Sequence, residues 1–187
     1  MSGRFEAEGT GVDGLVLLKR RRLGDERGFL SRLFCVSDLA EFGWEGGVAQ
    51  INETGTSYRG TVRGMHFQRP PHAEIKLVTC TRGAVLDIVV DLREGSRTFL
   101  SSYAVELSAG NGLSLLVPKG FAHGFQALTD DVRMIYAHSM PFVAEAEGGL
   151  HCQDPALGLR WPLPVARLSP RDAAHPMIAT AYPGLAA

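Results

Sequence analysis

Short runs of β-forming residues, each ended by Gly, Pro, Asp or Asn, follow one another along most of this 187-residue chain. Glycine supplies 22 residues, about 12% of the chain against a usual 7% or so, which indicates many turns. Strands at intervals of roughly 8–12 residues, with little helix, are typical of a β-sandwich or a closed barrel. The predicted strands are 15–18, 29–34, 48–51, 62–67, 76–79, 84–92, 99–107, 113–117 and 133–138.

The run AVLDIVVDL (84–92) is apolar on both faces apart from Asp87 and Asp91. This pattern predicts a strand buried in the core of a sandwich or barrel. An unpaired carboxylate is costly there, so we expect Asp87 to face a cation or a pocket. The one predicted early helix is SDLAEF (37–42), with Ser37 as its N-cap.

Charge and cysteine content limit the partners and the compartment. With 19 basic and 20 acidic residues the formal net charge is -1, which gives no overall field to attract nucleic acid or a membrane. The three cysteines have no paired spacing, the start lacks an apolar signal segment, and no apolar run could span a bilayer. We therefore expect a cytoplasmic protein with one domain at 14–187 and a flexible N-terminal arm at 1–13.

Polar side chains interrupt the strand pattern at a few positions. In RGMHFQ (63–68), His66 and Gln68 share one strand face, opposite Met65 and Phe67, which predicts a pocket wall. The segment PKGFAHGF (118–125) is interpreted as a turn that returns His123 to the barrel. The remaining polar candidates are Lys76 in EIKLV, Tyr136 in MIYAHS and Asp172 in LSPRD; His72, His138, His151 and His175 are interpreted as surface or loop residues.

Together these segments resemble the dTDP-4-dehydrorhamnose 3,5-epimerase family of the cupin superfamily. The resemblance implies an all-β fold, a cupin or double-stranded β-helix jelly-roll barrel with a few short helices. It also implies a homodimer, in which we expect the strand at 15–18 to pair with the partner and cover a sheet edge. The matching stretches, in family order, are DERGF (25–29), Gln50 with Asn52, RGMHFQ (63–68), KLV (76–78), GAVLDIVVDLR (83–93), VPKGFAHGF (117–125), EGG (147–149), WP (161–162) and LSPRD (168–172).

The implied activity is inversion of C3, C5 or both in a nucleotide-linked 4-keto-6-deoxyhexose of the dTDP-4-dehydro-6-deoxyglucose type, in deoxysugar biosynthesis. The implied catalytic residues are His66 as general base, Asp172 as its orienting carboxylate, Lys76 beside the C4 oxygen and Tyr136 as acid. Histidine suits removal of a proton α to a ketone, and the developing enolate needs positive charge. The ketone itself stabilises the carbanion, so neither metal nor cofactor is expected. The implied substrate contacts are Arg27, Phe29, Gln50, Asn52, Arg63, Asp87 and His123, with Arg27 and Phe29 reaching the nucleotide across the dimer interface.

Departures from the family pattern leave the specificity open. Arg32 stands where many members carry a glutamate, Ala137 replaces a lysine, and the segment 139–142 has no tyrosine. The nucleotide (dTDP is expected first), the inverted carbons, the final deoxysugar and its pathway are therefore undecided. Two alternatives are a catalytically inactive sugar-nucleotide-binding module and a metal-dependent cupin using His66, Glu74 and His123. The metal alternative is weaker because Gln68 stands where a second histidine ligand is expected.

Overall fold

The computed structural model describes residues 3–178 and 182–186. Within them the chain forms a long series of strands and two four-residue helices, α1 (Val36–Leu39) and α2 (Pro170–Ala173). Two 3₁₀ turns lie at Ala40–Phe42 and Ala144–Ala146. The strands are β1 (Phe5–Gly9), β2 (Val16–Arg20), β3 (Arg22–Asp25), β4 (Gly28–Ser31), β5 (Gln50–Thr56), β6 (Val62–Gln68), β7 (Lys76–Arg82), β8 (Ala84–Asp91), β9 (Ser102–Ser108), β10 (Leu113–Val117), β11 (Phe121–Ala127), β12 (Val132–His138) and β13 (Glu147–Gly149).

Two antiparallel sheets form the barrel. One has the strand order β1-β2-β10-β7-β12-β5 and the other β13-β6-β11-β8-β9, while β3 and β4 form a separate hairpin. The main core lies between the sheets, where Val78 and Met134 of the first meet Val89, Leu107 and Phe125 of the second. This arrangement confirms the expected all-β, cupin-like fold.

Strand β8 explains why the run 84–92 is apolar on both faces. Val85 and Val89 point into the core between the sheets. Ile88 and Val90 point to the opposite face, where they pack beneath Leu150 and Leu157 from the C-terminal segment. Both faces of the strand are thus removed from water, which favours apolar side chains at successive positions.

A second apolar layer covers the outer face of the six-stranded sheet. Leu39 of α1 and Trp44 pack there against Leu18, Leu77 and further buried residues. The predicted helix is confirmed in position but not in its cap: the N-cap residue is Cys35, without a side-chain cap hydrogen bond. A four-residue helix depends on packing of Leu39 rather than on its cap, since short helices are marginal by themselves.

The N-terminal segment is structured, contrary to the expectation of a flexible arm. Phe5–Gly9 forms β1 and pairs antiparallel with β2, and Phe5 is buried; residues 1–2 lie outside the described part. Strand β2 pairs on its other side with β10. The expected pairing of 15–18 with a partner strand is therefore wrong, because both edges of β2 are already hydrogen-bonded within the chain.

Strand β11 is absent from the strands predicted from the sequence. Its sequence FAHGFQA contains a glycine and a histidine, which weakens the β pattern, yet all seven residues are buried between β6 and β8. The turn at Pro118–Gly120 precedes it, so the interpreted turn is confirmed and His123 continues into a central strand. None of the helices in residues 3–178 and 182–186 is long and apolar enough to cross a membrane.

Candidate active site

A cavity of about 810 Å³ opens between the two sheets. Strands β5, β7 and β12 form one wall and strands β6 and β11 form the other, and the segment around α2 lies at the mouth. Every residue implied as catalytic lines this cavity: His66, Lys76, Tyr136 and Asp172. The structure therefore brings together side chains that are up to 106 residues apart in the chain.

His66 and Asp172 form a hydrogen-bonded pair. His66 Nε2 lies 2.9 Å from Asp172 Oδ1, and the His66 side chain remains 26% exposed toward the cavity. Asp172 is buried at the start of α2, where Ser169 caps its backbone N–H at 3.0 Å and Pro170 occupies the first turn. The Ser-Pro sequence favours the start of a helix here. The serine hydroxyl accepts a hydrogen bond from a free backbone N–H of the first turn, and proline has no N–H that would need a partner. This helix start sets the position of the carboxylate.

Gly64 allows the carboxylate to approach β6. Its N–H donates to Asp172 Oδ2 at 3.2 Å, and its φ is +130°. A Cβ at this position would lie 2.5 Å from Gly124 Cα on β11. Only glycine accommodates both the backbone angle and the close contact between the strands.

Asp172 receives further contacts that keep it ionised. Arg171 Nε lies 3.4 Å from Asp172 Oδ1, and the same guanidinium lies 3.3 Å from His66 Nε2 and 2.8 Å from Glu147. Burial alone would raise the pKa of Asp172, but the hydrogen bonds from His66 and Gly64 and the charge of His66 hold it well below its usual range. The carboxylate is therefore an acceptor that can orient the imidazole of His66.

Lys76 is held by Glu74, an acid whose place in the sequence suggested only a metal ligand. Glu74 Oε1 lies 2.8 Å from Lys76 Nζ, and Gln68 Nε2 donates to the other oxygen of Glu74 at 3.0 Å. All three side chains are buried. Gln68 thus lies on the pocket wall as predicted, and it supports the lysine through Glu74.

His138 also lines the cavity, opposite Lys76 on the neighbouring strand. Burial and the positive charge of Lys76 lower the pKa of His138 to about 4, so the ring is neutral near pH 7. Its interpretation as a surface or loop residue is wrong. The signal was present in the sequence, since residues 136 and 138 of one strand point to the same face.

Tyr136 lies on the wall opposite His66 and has a histidine on either side. Its ring is 6.0 Å from His123 and 6.2 Å from His138, centroid to centroid. Burial raises the pKa of the Tyr136 hydroxyl above its usual value, so the group is a proton donor rather than an anion. His123 in turn binds Asp87 through Nε2, at 2.9 and 3.0 Å from the two carboxylate oxygens.

The remaining predicted contacts divide into two groups. Gln50, Asn52, Arg63 and His123 line the cavity as expected. Asp87 does not line it: the side chain is fully buried behind His123, so its assignment as a substrate contact is corrected to a partner of His123. We expected Asp87 to face a cation or a pocket because an unpaired buried carboxylate is costly. The hydrogen bonds to His123 remove that cost.

Arg27 and Phe29 lie outside the cavity of this chain. Arg27, on the turn of the β3–β4 hairpin, pairs with Asp25 and its side chain is 84% exposed. Phe29 is 62% exposed. Arg32, a departure from the family pattern, pairs with Asp38 at 2.7 Å. Within a single chain these residues do not contribute to the pocket, so their expected role across a dimer interface stays a prediction.

The residues considered for a metal centre are engaged with other partners. Glu74 binds Lys76 and Gln68, and His123 binds Asp87. Within the described ranges, the one His/Cys/Asp/Glu group with converging ligand atoms is His66, Asp172 and His175, whose atoms lie within 4.8 Å. The Arg171 guanidinium beside His66 Nε2 disfavours a further cation there.

The chain is a cupin-like jelly-roll barrel, with a carboxylate-held histidine on one cavity wall and a buried tyrosine on the other. Residues 9–180 match the sequence profile of dTDP-4-dehydrorhamnose 3,5-epimerase. The chain belongs to this family of nucleotide-sugar epimerases.

Individual relatives agree with this placement. A dTDP-4-dehydrorhamnose 3,5-epimerase of Sinorhizobium fredii is 42% identical over 87% of this chain and 84% of its own length. The crystal structure of the Bacillus anthracis enzyme, with TDP and pyrophosphate bound, is 35% identical and superposes with a TM-score of 0.90 over 93% of this chain and 99% of that one. The Legionella pneumophila enzyme, in complex with dTDP-4-keto-L-rhamnose, is 35% identical and has a TM-score of 0.88 over 92% of each chain.

Proposed function

We propose that this protein inverts C3, C5 or both in a nucleotide-linked 4-keto-6-deoxyhexose by moving protons through an enolate. The observation that carries the proposal is the placement of His66 and Tyr136 on opposite sheets, with the cavity between them. Inversion of a carbon requires that the proton leave from one face and return to the other. A base and an acid on opposite walls supply both operations to one bound sugar.

His66 removes the proton next to the C4 ketone. Its Nε2 is bound to Asp172, so Nδ1 is the nitrogen free to accept the proton. The C–H bond breaks and its electron pair moves into the enolate, whose oxygen is stabilised by the ammonium of Lys76. Asp172 stabilises the imidazolium that forms, in the same way as the carboxylate of a catalytic triad.

Tyr136 then donates its hydroxyl proton to the opposite face of the carbon. The enolate is reconverted to a ketone, the phenolate regains a proton from solvent, and the His66 imidazolium releases the proton taken from the substrate to solvent. Because burial makes the phenolate costly, the tyrosine returns to its neutral form for the next turnover. The reaction uses no oxidant and no co-reactant.

The substrate and assembly are proposed on the family relationship. The related structures hold TDP and a dTDP-sugar, which supports a dTDP-sugar as substrate. In a homodimer the exposed Arg27 and Phe29 of one chain would contact the nucleotide bound by the other. The cytoplasmic setting expected from the cysteines stays a prediction.

Incubation with dTDP-, UDP-, CDP- and GDP-linked 4-keto-6-deoxy sugars in D₂O tests the function. NMR reports which carbon gains deuterium and in which configuration. We expect deuterium at C3, C5 or both with dTDP-4-dehydro-6-deoxyglucose, and the labelled position decides between single and double inversion. Absence of exchange with every sugar, combined with measurable binding, would instead identify a binding module.

A further inference from the structure

His175, two residues beyond α2, lies directly behind the His66–Asp172 pair. Its ring meets the ring of His66 edge-on, with centroids 5.5 Å apart. Its Nε2 lies 3.8 Å from Asp172 Oδ1, the oxygen that is hydrogen-bonded to His66. This nitrogen is buried and has no hydrogen-bond partner among the described residues.

The neighbouring strand β13 leaves room for the His175 ring at a glycine. Gly149 of β13 pairs with His66 of β6. A Cβ at Gly149 would lie 2.3 Å from both Cε1 and Nε2 of His175. The φ of Gly149 lies outside the left-handed region, so the backbone alone does not require glycine here. What requires it is the space taken by the histidine ring.

Four charged or titratable groups face His175. They are His66 on β6, Asp172 and Arg171 on α2, and Glu147 on β13. Burial lowers the pKa of His175, and repulsion from protonated His66 lowers it further. Both effects favour the neutral form of His175.

We propose that His175 is a positioning residue that shares the Asp172 carboxylate with His66 and so favours the unprotonated, proton-accepting form of His66. The argument rests on the proposed role of His66 as the base. A carboxylate beside a histidine stabilises the imidazolium, which cannot accept a proton. A neutral ring 3.8 Å from the same oxygen opposes this effect, because an N–H dipole on its Nε2 offsets part of the field that the carboxylate exerts on His66.

The first test is the pH dependence of epimerisation in His175→Phe, which keeps a ring of similar shape without its polar atoms. The acid limb of kcat/KM should move to higher pH by about 0.5–1 unit. This shift is equivalent to a loss of about 3–10-fold on the acid limb, with the alkaline plateau and its KM retained. NMR titration of the His66 ring should show the same shift without relying on activity. His175→Gln, which keeps an N–H donor, should restore the limb toward wild type.

His151→Phe is the matched control, because the ring of His151 accepts from the Gln153 N–H instead of contacting the pair. It should leave the acid limb unchanged. An acid limb and a His66 titration in His175→Phe that coincide with wild type would overturn the proposal. The role of His66 as the base fails separately, if His66→Ala retains deuterium exchange near the wild-type rate, and the proposed function fails if the wild-type protein exchanges no sugar.

A second test uses the place reserved for the ring. Gly149→Ala should displace His175 and shift the acid limb as His175→Phe does. In the double variant with His175→Ala, the alanine at 149 no longer meets the ring, so its additional effect on activity and on Tm should disappear. An equal effect of Gly149→Ala in both backgrounds would contradict the proposed contact.

Discussion

The molecule contains two histidine–aspartate pairs with almost the same bond length and different surroundings. His66 and Asp172 meet at 2.9 Å, with His66 26% exposed to the cavity and its carboxylate supplied by the C-terminal segment. His123 and Asp87 also meet at 2.9 Å, but both lie on adjacent central strands and the His123 side chain is only 7% exposed. The two histidines are themselves opposite each other on β6 and β11.

This comparison shows that a carboxylate-oriented histidine does not by itself identify the base. In the first pair, His66 lies 2.9 Å from Asp172 Oδ1. Arg171 and His175 lie farther from the same oxygen, at 3.4 and 3.8 Å. In the second pair Nε2 contacts both oxygens of a fully buried carboxylate, and the His123 ring supports Tyr136. We therefore assign proton removal to the first pair and support of the acid to the second.

The largest expected effect separates the two histidines. His66→Ala should lower both deuterium exchange and epimerisation by about 10²–10⁴-fold, the usual value of a positioned base. His123→Ala should affect exchange less, because it leaves the base in place. NMR in D₂O measures both rates on the same sample. Near-wild-type exchange in His66→Ala would reverse the assignment.

The two aspartates should differ in the same direction. Asp172→Asn should reduce exchange by about 10²-fold, since the amide no longer orients His66 or stabilises its imidazolium. Asp87→Asn should mainly lower the free energy of unfolding, by about 1–3 kcal/mol, because it weakens a buried hydrogen bond. Kinetics and urea unfolding of both variants check this contrast; equal kinetic losses would mean that both pairs transfer protons.

The Asp172 pair also gives a pH dependence of stability. The pKa of Asp172 is lowered in the folded chain, so its stabilisation is complete above the unfolded value of about 4 and is lost as the pH falls below it. The stability deficit of Asp172→Asn should therefore shrink between pH 5 and pH 2. A deficit that is constant over this range would show that the pair contributes nothing through ionisation.

Tyr136→Phe should separate proton removal from proton return. His66 can still remove the α-proton and return deuterium to the same face, so exchange should persist. Net inversion should fall by about 10²-fold, because the opposite face has lost its donor. Equal loss of both rates would mean that Tyr136 positions the sugar instead. Unchanged inversion would identify another donor.

His138, a third histidine on the cavity wall, should matter for stability rather than for proton transfer. Its pKa falls to about 4 on folding, against about 6.5 in an unfolded chain. Between these values the unfolded chain binds a proton that the folded chain does not, so stability decreases as the pH falls. His138→Gln should lose less stability between pH 7 and pH 5 than wild type, with His72→Gln as control; identical losses would contradict this cause.

The smallest expected effect is that of metal removal. EDTA should leave epimerisation unchanged, because in the proposed mechanism Lys76 supplies the positive charge at the enolate oxygen. Metal analysis of the purified protein accompanies this measurement. Stoichiometric Fe, Mn or Zn, lost together with activity, would favour the metal-dependent alternative.

Much of the site could be predicted because local patterns carry it. Alternation along β6 placed His66 and Gln68 on one face, and the same rule would have placed His138 beside Tyr136. The resemblance named His66, Lys76, Tyr136 and Asp172 as a set, and all four line one cavity. The role of Glu74 was missed, although it precedes Lys76 by two residues in the chain.

The sequence by itself determined the β-rich strand pattern and the residue types that can move protons, because these depend on alternation and turn residues within a few positions. The choice of a barrel over a sandwich came from the family resemblance. Only the tertiary structure decided which carboxylate holds which histidine. Asp172 reaches His66 from 106 positions away, and Asp87 turns from the cavity to His123. His175, which follows α2, is placed by Gly149 of β13. Such contacts depend on how strands and the C-terminal segment pack, and no local pattern specifies that packing.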